Sequence, residues 1–235
     1  MDTAKYSTRI SLTSIKSEMP FLSSVEGTFG YGRPQPQAVV EFNYPNFSST
    51  AGLVQVSTEG VISNALYLTT AVNGEVGNVY RSTAIPYNRN FSFEWNFECS
   101  GGTDPPADGF CLQWTTTNNT NGGVGGSVGY LTSAAQAFTF LTFTNNLFRW
   151  YTGSQEKTTQ TGQNFYQNLF YWADYNHATS TMRIYFSTSS TKPASANFTL
   201  TGFSFDSTSY YIGLGAATGG ANENNILRSM KLTFN

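Results

Sequence analysis

Between Phe91 and Cys99 the chain alternates without a break. Phe91, Phe93, Trp95, Phe97 and Cys99 are apolar, and Ser92, Glu94, Asn96 and Glu98 between them are polar. Successive side chains of an extended strand point to opposite faces, so this is a β-strand with an aromatic face inward and a polar face outward. Strand-like runs recur along the chain: AVVEFNYPNF, GLVQVSTEGVISNALYLTT, NVYRSTAIPY, FTFLTFTNNLFRWY, NLFYWADYN, TMRIYFST, FTLTGFSF, YYIGLGAAT and NILRSMKLTFN. Turn residues separate them at roughly 8–15 residue spacing, which predicts an all-β, antiparallel two-sheet sandwich or jelly roll. The sequence carries no strong helix pattern and no internal repeat.

The 235 residues fit one such domain with an extension. From Glu41 onward the β pattern is continuous, so residues 41–235 are read as the domain and residues 1–40 as an N-terminal arm. The arm holds several of the few Lys and Arg residues and the turn-rich GTFGYGRPQPQ. An arm of this kind lies on its own domain or on a neighbouring copy, so self-association or assembly with other structural proteins is an expectation for residues 1–40. A net charge of −2 argues against nucleic acid, because phosphate neutralisation needs clustered Lys and Arg. No run approaches the roughly 18 apolar residues of a membrane span. The first residues, MDTAKYSTRISLTSIKSEM, lack the apolar core of a secretory signal, which predicts cytosolic synthesis, with a virion as one setting for an assembling protein.

Two cysteines, Cys99 and Cys111, flank the segment Asp104–Gly109, at the end of one predicted strand and the start of the next. The spacing leaves two readings open: a disulfide that clamps the loop, or two buried thiols. With a single His, the pair does not make a zinc site. His177, in DYNHATSTM, falls in a polar turn between strands and has neither a second His nor a Ser or Cys motif beside it.

The segment DPPADGFCLQW presents Asp108 on a loop just before a buried strand. The Pro105–Pro106 pair stiffens the entry, and Gly109 supplies a backbone freedom other residues lack. A carboxylate held this way, near glycines whose N–H groups can be approached closely, can grip vicinal hydroxyls. A glycine-rich stretch, VGGSVGY, follows within one polar loop.

The order of the pieces resembles the L-type (legume-like) lectins, over roughly Glu41 to Asn235. FNYPNF, GLVQVSTEGVISNALYLTT, VYRSTAIPY, PPADGF with GGSVGY, and the closing IGLGAATGGANENNILRSMKLTF follow one another as that family's elements do. The resemblance implies a concanavalin A-like sandwich and a non-enzymatic, carbohydrate-binding function. Its sugar site would be Asp108, the backbone N–H of Gly126, Asn145 and the loop Gly219, Gly220, Ala221 and Asn222. An aromatic platform for a pyranose face would come from Phe143, Phe148 or Trp150. The family's metal strand departs here: Thr139 stands at the Glu position and Leu141 at the Asp position. Calcium takes about six to eight oxygens, carboxylates usually among them. The resemblance therefore implies that the usual calcium/manganese pair is lost and that any glycan binding is independent of a cofactor.

A non-binding structural role for the sandwich is the second reading. A third starts from Glu94, Asn96 and Glu98, which are similar to the Glu-x-Asp-x-Glu strand of laminarinase-like glycoside hydrolases. Retaining hydrolysis wants carboxylates about 5–5.5 Å apart, whereas four residues along a strand span roughly 13 Å. A solvated polar face explains these residues better.

Overall fold

The computed structural model describes residues 37–143, 146–160 and 162–235. Its strands, in chain order, are β1 (Val39–Tyr44), β2 (Leu53–Val56), β3 (Gly60–Ile62), β4 (Ala65–Thr69), β5 (Val76–Arg81), β6 (Ile85–Pro86), β7 (Phe91–Ser100) and β8 (Gly109–Thr115). They continue with β9 (Gln136–Leu141), β10 (Phe148–Thr152), β11 (Gln155–Gln160), β12 (Asn168–Asn176), β13 (Thr181–Ser187), β14 (Phe198–Thr201), β15 (Ser209–Ala217) and β16 (Asn224–Phe234). The only helical turn among the described residues is a 3₁₀ turn at Gly125–Ser127. The arm expected at residues 1–40 lies, up to residue 36, outside the described residues. The first strand begins at Val39 and pairs with β16.

Strand β7 shows the alternation its sequence dictates. Phe91, Phe93, Trp95, Phe97 and Cys99 enter the core, and Ser92, Glu94 and Glu98 lie half-buried on the other face. Asn96 departs from the pattern: it is buried, and its amide donates to Asn168 Oδ1 at 2.6 Å and to the Leu169 carbonyl at 2.9 Å. On either side of β7 lie β12 and β16, both antiparallel, in a sheet ordered β14-β13-β12-β7-β16-β4-β3, with β1 also on β16. The facing sheet is ordered β11-β10-β9-β8-β15-β5-β2, with β6 on β15. This is the antiparallel two-sheet jelly-roll sandwich expected.

Aromatic rings fill the space between the layers. Phe97 of the first sheet stacks on Phe110 of the second with ring centres 3.9 Å apart, and Phe110 stacks in turn on Phe140 at 4.7 Å. Trp95 lies parallel to Tyr171 at 5.0 Å.

Because β7 and β8 belong to different sheets, the segment between them crosses from one layer to the other. Cys99 points into the main core and Cys111 joins a smaller cluster with Val128, Ala137 and Leu141; both are free thiols. A hairpin that would set the two cysteines face to face does not form. Likewise FTFLTFTNNLFRWY is not one strand but the antiparallel hairpin β9–β10, with Phe140 opposite Phe148. Strand β11, QEKTTQ, carries no apolar alternation and is held by backbone pairing to β10.

Candidate functional site

Asp108 sits where the crossing segment enters β8. Its backbone is fixed on both sides: its N–H donates to the Ala217 carbonyl at 3.1 Å, and its carbonyl accepts from Thr142 N–H at 3.0 Å. Gly109 follows with φ +119°, and a Cβ there would run into the Phe140 carbonyl, so only glycine lets β8 start in register with Leu141 and Ala217. The Asp104–Pro105 and Ala107–Asp108 peptides are cis.

Asp108 as a residue is 8% exposed, and its Oδ2 is buried with no hydrogen-bond partner among the described residues. Two glycines crowd it. A Cβ on Gly219 would stand 2.8 Å from Oδ2, and one on Gly125 would stand 3.8 Å away. The carboxylate is thus walled by bare backbone from two other loops, and burial raises its pKa.

Those loops are tied together by backbone and amide bonds. Gly125 N–H donates to the Thr218 carbonyl at 3.1 Å, and Gly219 N–H to Ala221 at 3.1 Å. Asn73 donates to the Gly220 carbonyl at 3.1 Å and accepts from the Asn222 amide at 2.6 Å. Asn222 N–H donates to Thr103 Oγ1 at 3.0 Å, which joins the loop to the segment that carries Asp108. The glycine-rich loop is anchored from below by two buried amides, Asn78 and Gln113, which donate to the Gly129 carbonyl at 2.9 and 3.1 Å.

Of the residues expected in the site, Asp108 and Gly220, Ala221 and Asn222 therefore meet through their loops. Gly126 is exposed beside Gly125, and a Cβ there would meet open space. Phe143 is exposed, whereas Phe148 and Trp150 are buried in the main core and offer no platform. Asn145 lies outside the described residues. His177 is exposed in the β12–β13 turn, where its N–H donates to Asn90 Oδ1.

One residue of the site escaped the sequence reading. Glu223 is fully buried and feels the charge of Asp108; its Oε1 accepts from the Thr142 hydroxyl at 2.9 Å, and its Oε2 has no partner among the described residues. Burial, reinforced by the negative charge of Asp108, pushes its pKa up to about 7 against the opposing bond from Thr142. Thr142 thus holds both acids, Asp108 through its N–H and Glu223 through its hydroxyl. The sequence hid it: Phe234, Leu232 and Met230 share the inward face of β16, but a register shift between Leu227 and Ser229 moves that face to Leu227 and Asn225, the parity that reaches Glu223.

At the two positions that the resemblance aligns with the family's metal strand, neither side chain offers a carboxylate. Leu141 packs in the small apolar cluster with Val128 and Ala137 and presents no oxygen. Thr139 is buried with a hydroxyl that has no partner among the described residues. No group of three or more His, Cys, Asp or Glu side chains that could hold a metal occurs among the described residues.

No protein-family model and no curated protein matches the chain. Solved structures do. The exoplasmic/lumenal domain of VIP36, with Ca2+ and Man3GlcNAc bound, superposes with a TM-score of 0.67 at 17% identity, covering 81% of this chain and 86% of that one. The fold is that of the L-type lectins. A lectin from Bauhinia forficata in complex with GalNAc gives a TM-score of 0.68 at 16% identity over 84% of this chain and 98% of that one. Arcelin-5, a lectin-like defense protein from Phaseolus vulgaris, gives 0.70 at 16% identity over 84% and 99%.

Proposed function

We propose that this L-type lectin-like sandwich is a non-enzymatic carbohydrate-binding domain whose site is centred on Asp108 and works without a divalent cation. The observation that carries the reading is the Asp108 carboxylate: buried, short of a hydrogen-bond partner, and ringed by three loops with glycine on two sides. Vicinal hydroxyls would donate to it, with the Gly126 N–H, Asn145 and the loop Gly220–Asn222 around the ring and Phe143 against its apolar face. The VIP36 and Bauhinia structures, which hold Man3GlcNAc and GalNAc, support the class of ligand.

In place of metal ions, the chain's own bonds brace the site: Thr142 links Asp108 to Glu223, and Asn73 and Thr103 hold the loop at Asn222. Hydrolysis by Glu94 and Glu98 finds no support. Both lie on the polar face of β7, paired to Lys231 at 3.1 Å and to Arg228 at 2.5 Å.

The test is a glycan array run with and without chelator on the parent and on Asp108→Ala, with Asp108→Asn as the isosteric control. Binding that survives chelation and is lost in both variants is expected. Binding that requires calcium, or that Asp108→Ala leaves intact, would overturn the reading.

A further inference from the structure

The outer face of the β7 sheet carries a half-open cavity of about 320 Å³. The register sets its floor. Trp172 on β12, Glu94 on β7, Lys231 on β16 and Asn43 on β1 stand directly opposite one another, one per strand, across the sheet. The next rung adds Phe170 and Ser229, on either side of Asn96. Phe170 stacks with Trp172, ring centres 6.5 Å apart and planes 26° apart; Trp172 is buried, so Phe170 presents the wall and Trp172 backs it. Pro45, just past the end of β1, borders the other side, and Ser190 closes a corner. Lys192 fixes the Ser190 segment across the sheet by pairing with Asp174 and by lying 4.4 Å over the Tyr185 ring.

From this arrangement we infer a second saccharide-binding site, distinct from Asp108, in which a single neutral sugar ring lies against Phe170, backed by Trp172, over the Glu94–Lys231 pair. The chemistry selects the ligand. An aromatic wall takes the C–H face of a ring, and a carboxylate beside an ammonium supplies strong acceptors and donors for hydroxyl groups. Glu94 Oε1 accepts one of the three Lys231 protons at 3.1 Å; both side chains line the cavity and are more than a third exposed, which leaves further bonding positions accessible.

The pair is neutral overall, so an anionic ligand meets Glu94 and a cationic one meets Lys231, whereas an uncharged polyol satisfies both. The Ser229 hydroxyl and the Asn43 amide, on the same floor, add neutral donors and acceptors. At about 320 Å³ the cavity is at the small end for ligand sites, which suits one ring. The alternation that places Glu94 on the polar face of β7 thus acquires a role other than hydrolysis.

The experiment is ligand-detected NMR titration of the full chain with the methyl glycosides of mannose, galactose and N-acetylglucosamine, with methyl phosphate as the charged control. In Asp108→Ala, saturable binding of at least one glycoside at millimolar concentration is expected to persist. It should weaken about tenfold in Asp108→Ala/Glu94→Gln and in Asp108→Ala/Phe170→Ala, the loss that follows from one charge-assisted hydrogen bond or one apolar contact. Methyl phosphate should not compete. Loss of all binding in Asp108→Ala, or residual binding indifferent to both further substitutions, overturns the second site. Binding in the parent that ignores Asp108→Ala yet falls with Glu94→Gln would instead sink the Asp108 reading and leave this one standing.

Discussion

Two carboxyl groups under one set of loops make the site sensitive to protons. Glu223 has an ordinary value of 4.5 and a folded-state value of about 7, so the folded protein holds a proton that the unfolded chain has released between those limits. Stability from this group is therefore fully present below about pH 4.5 and declines as pH rises through 7, by about 3 kcal/mol at most. Asp108, raised by burial, acts in the same direction. Thermal melts between pH 5 and pH 8 should show the parent losing stability, whereas Glu223→Gln should show a much flatter profile, since the amide can still accept from the Thr142 hydroxyl. A parent that is equally stable at pH 5 and pH 8 would contradict this account of Glu223.

At the level of loops and strands, the site depends on how closely three connections approach one carboxylate. Gly219 is the tightest point, because a Cβ there would meet Asp108 Oδ2 at 2.8 Å. Gly219→Ala should turn the carboxylate or push the loop outward, weakening glycan binding about tenfold while moving the melting temperature by only a few degrees. Array signal and melting curve on the same preparation separate the two effects; unchanged binding would mean that the carboxylate is not what the ligand touches. Elements whose one face is buried were legible in the sequence. β7 and the loop that presents Asp108 could be read from alternation and from the Pro-Pro-Ala-Asp-Gly order. What depends on pairing was not legible. β11 has no buried face to leave a pattern, and the β9–β10 turn carries neither Gly nor Pro. The separation of Cys99 from Cys111 follows from β7 and β8 entering different sheets. Glu223 needed the parity of β16, and the burial of Phe148 and Trp150 needed the position of β10.

One aromatic layer packs against both sheets. Phe110, two residues after Asp108, is clamped between Phe97 of one sheet and Phe140 of the other, while Trp95 and Tyr171, stacked in that layer, belong to β7 and β12, the strands that carry Glu94 and Trp172 outward. Removing the Phe110 ring leaves a cavity between the sheets and costs about 3–5 kcal/mol. For a domain of this size that lowers the melting temperature by roughly 10 °C. Because the lost contacts belong to both layers, Phe110→Ala should release β7 and β8 together. Hydrogen exchange should show their amides losing protection to the same extent, in one cooperative step of the sandwich. If β8 lost protection while β7 kept the parent's, the sheets would be separable units, and neither would sense the other through the core.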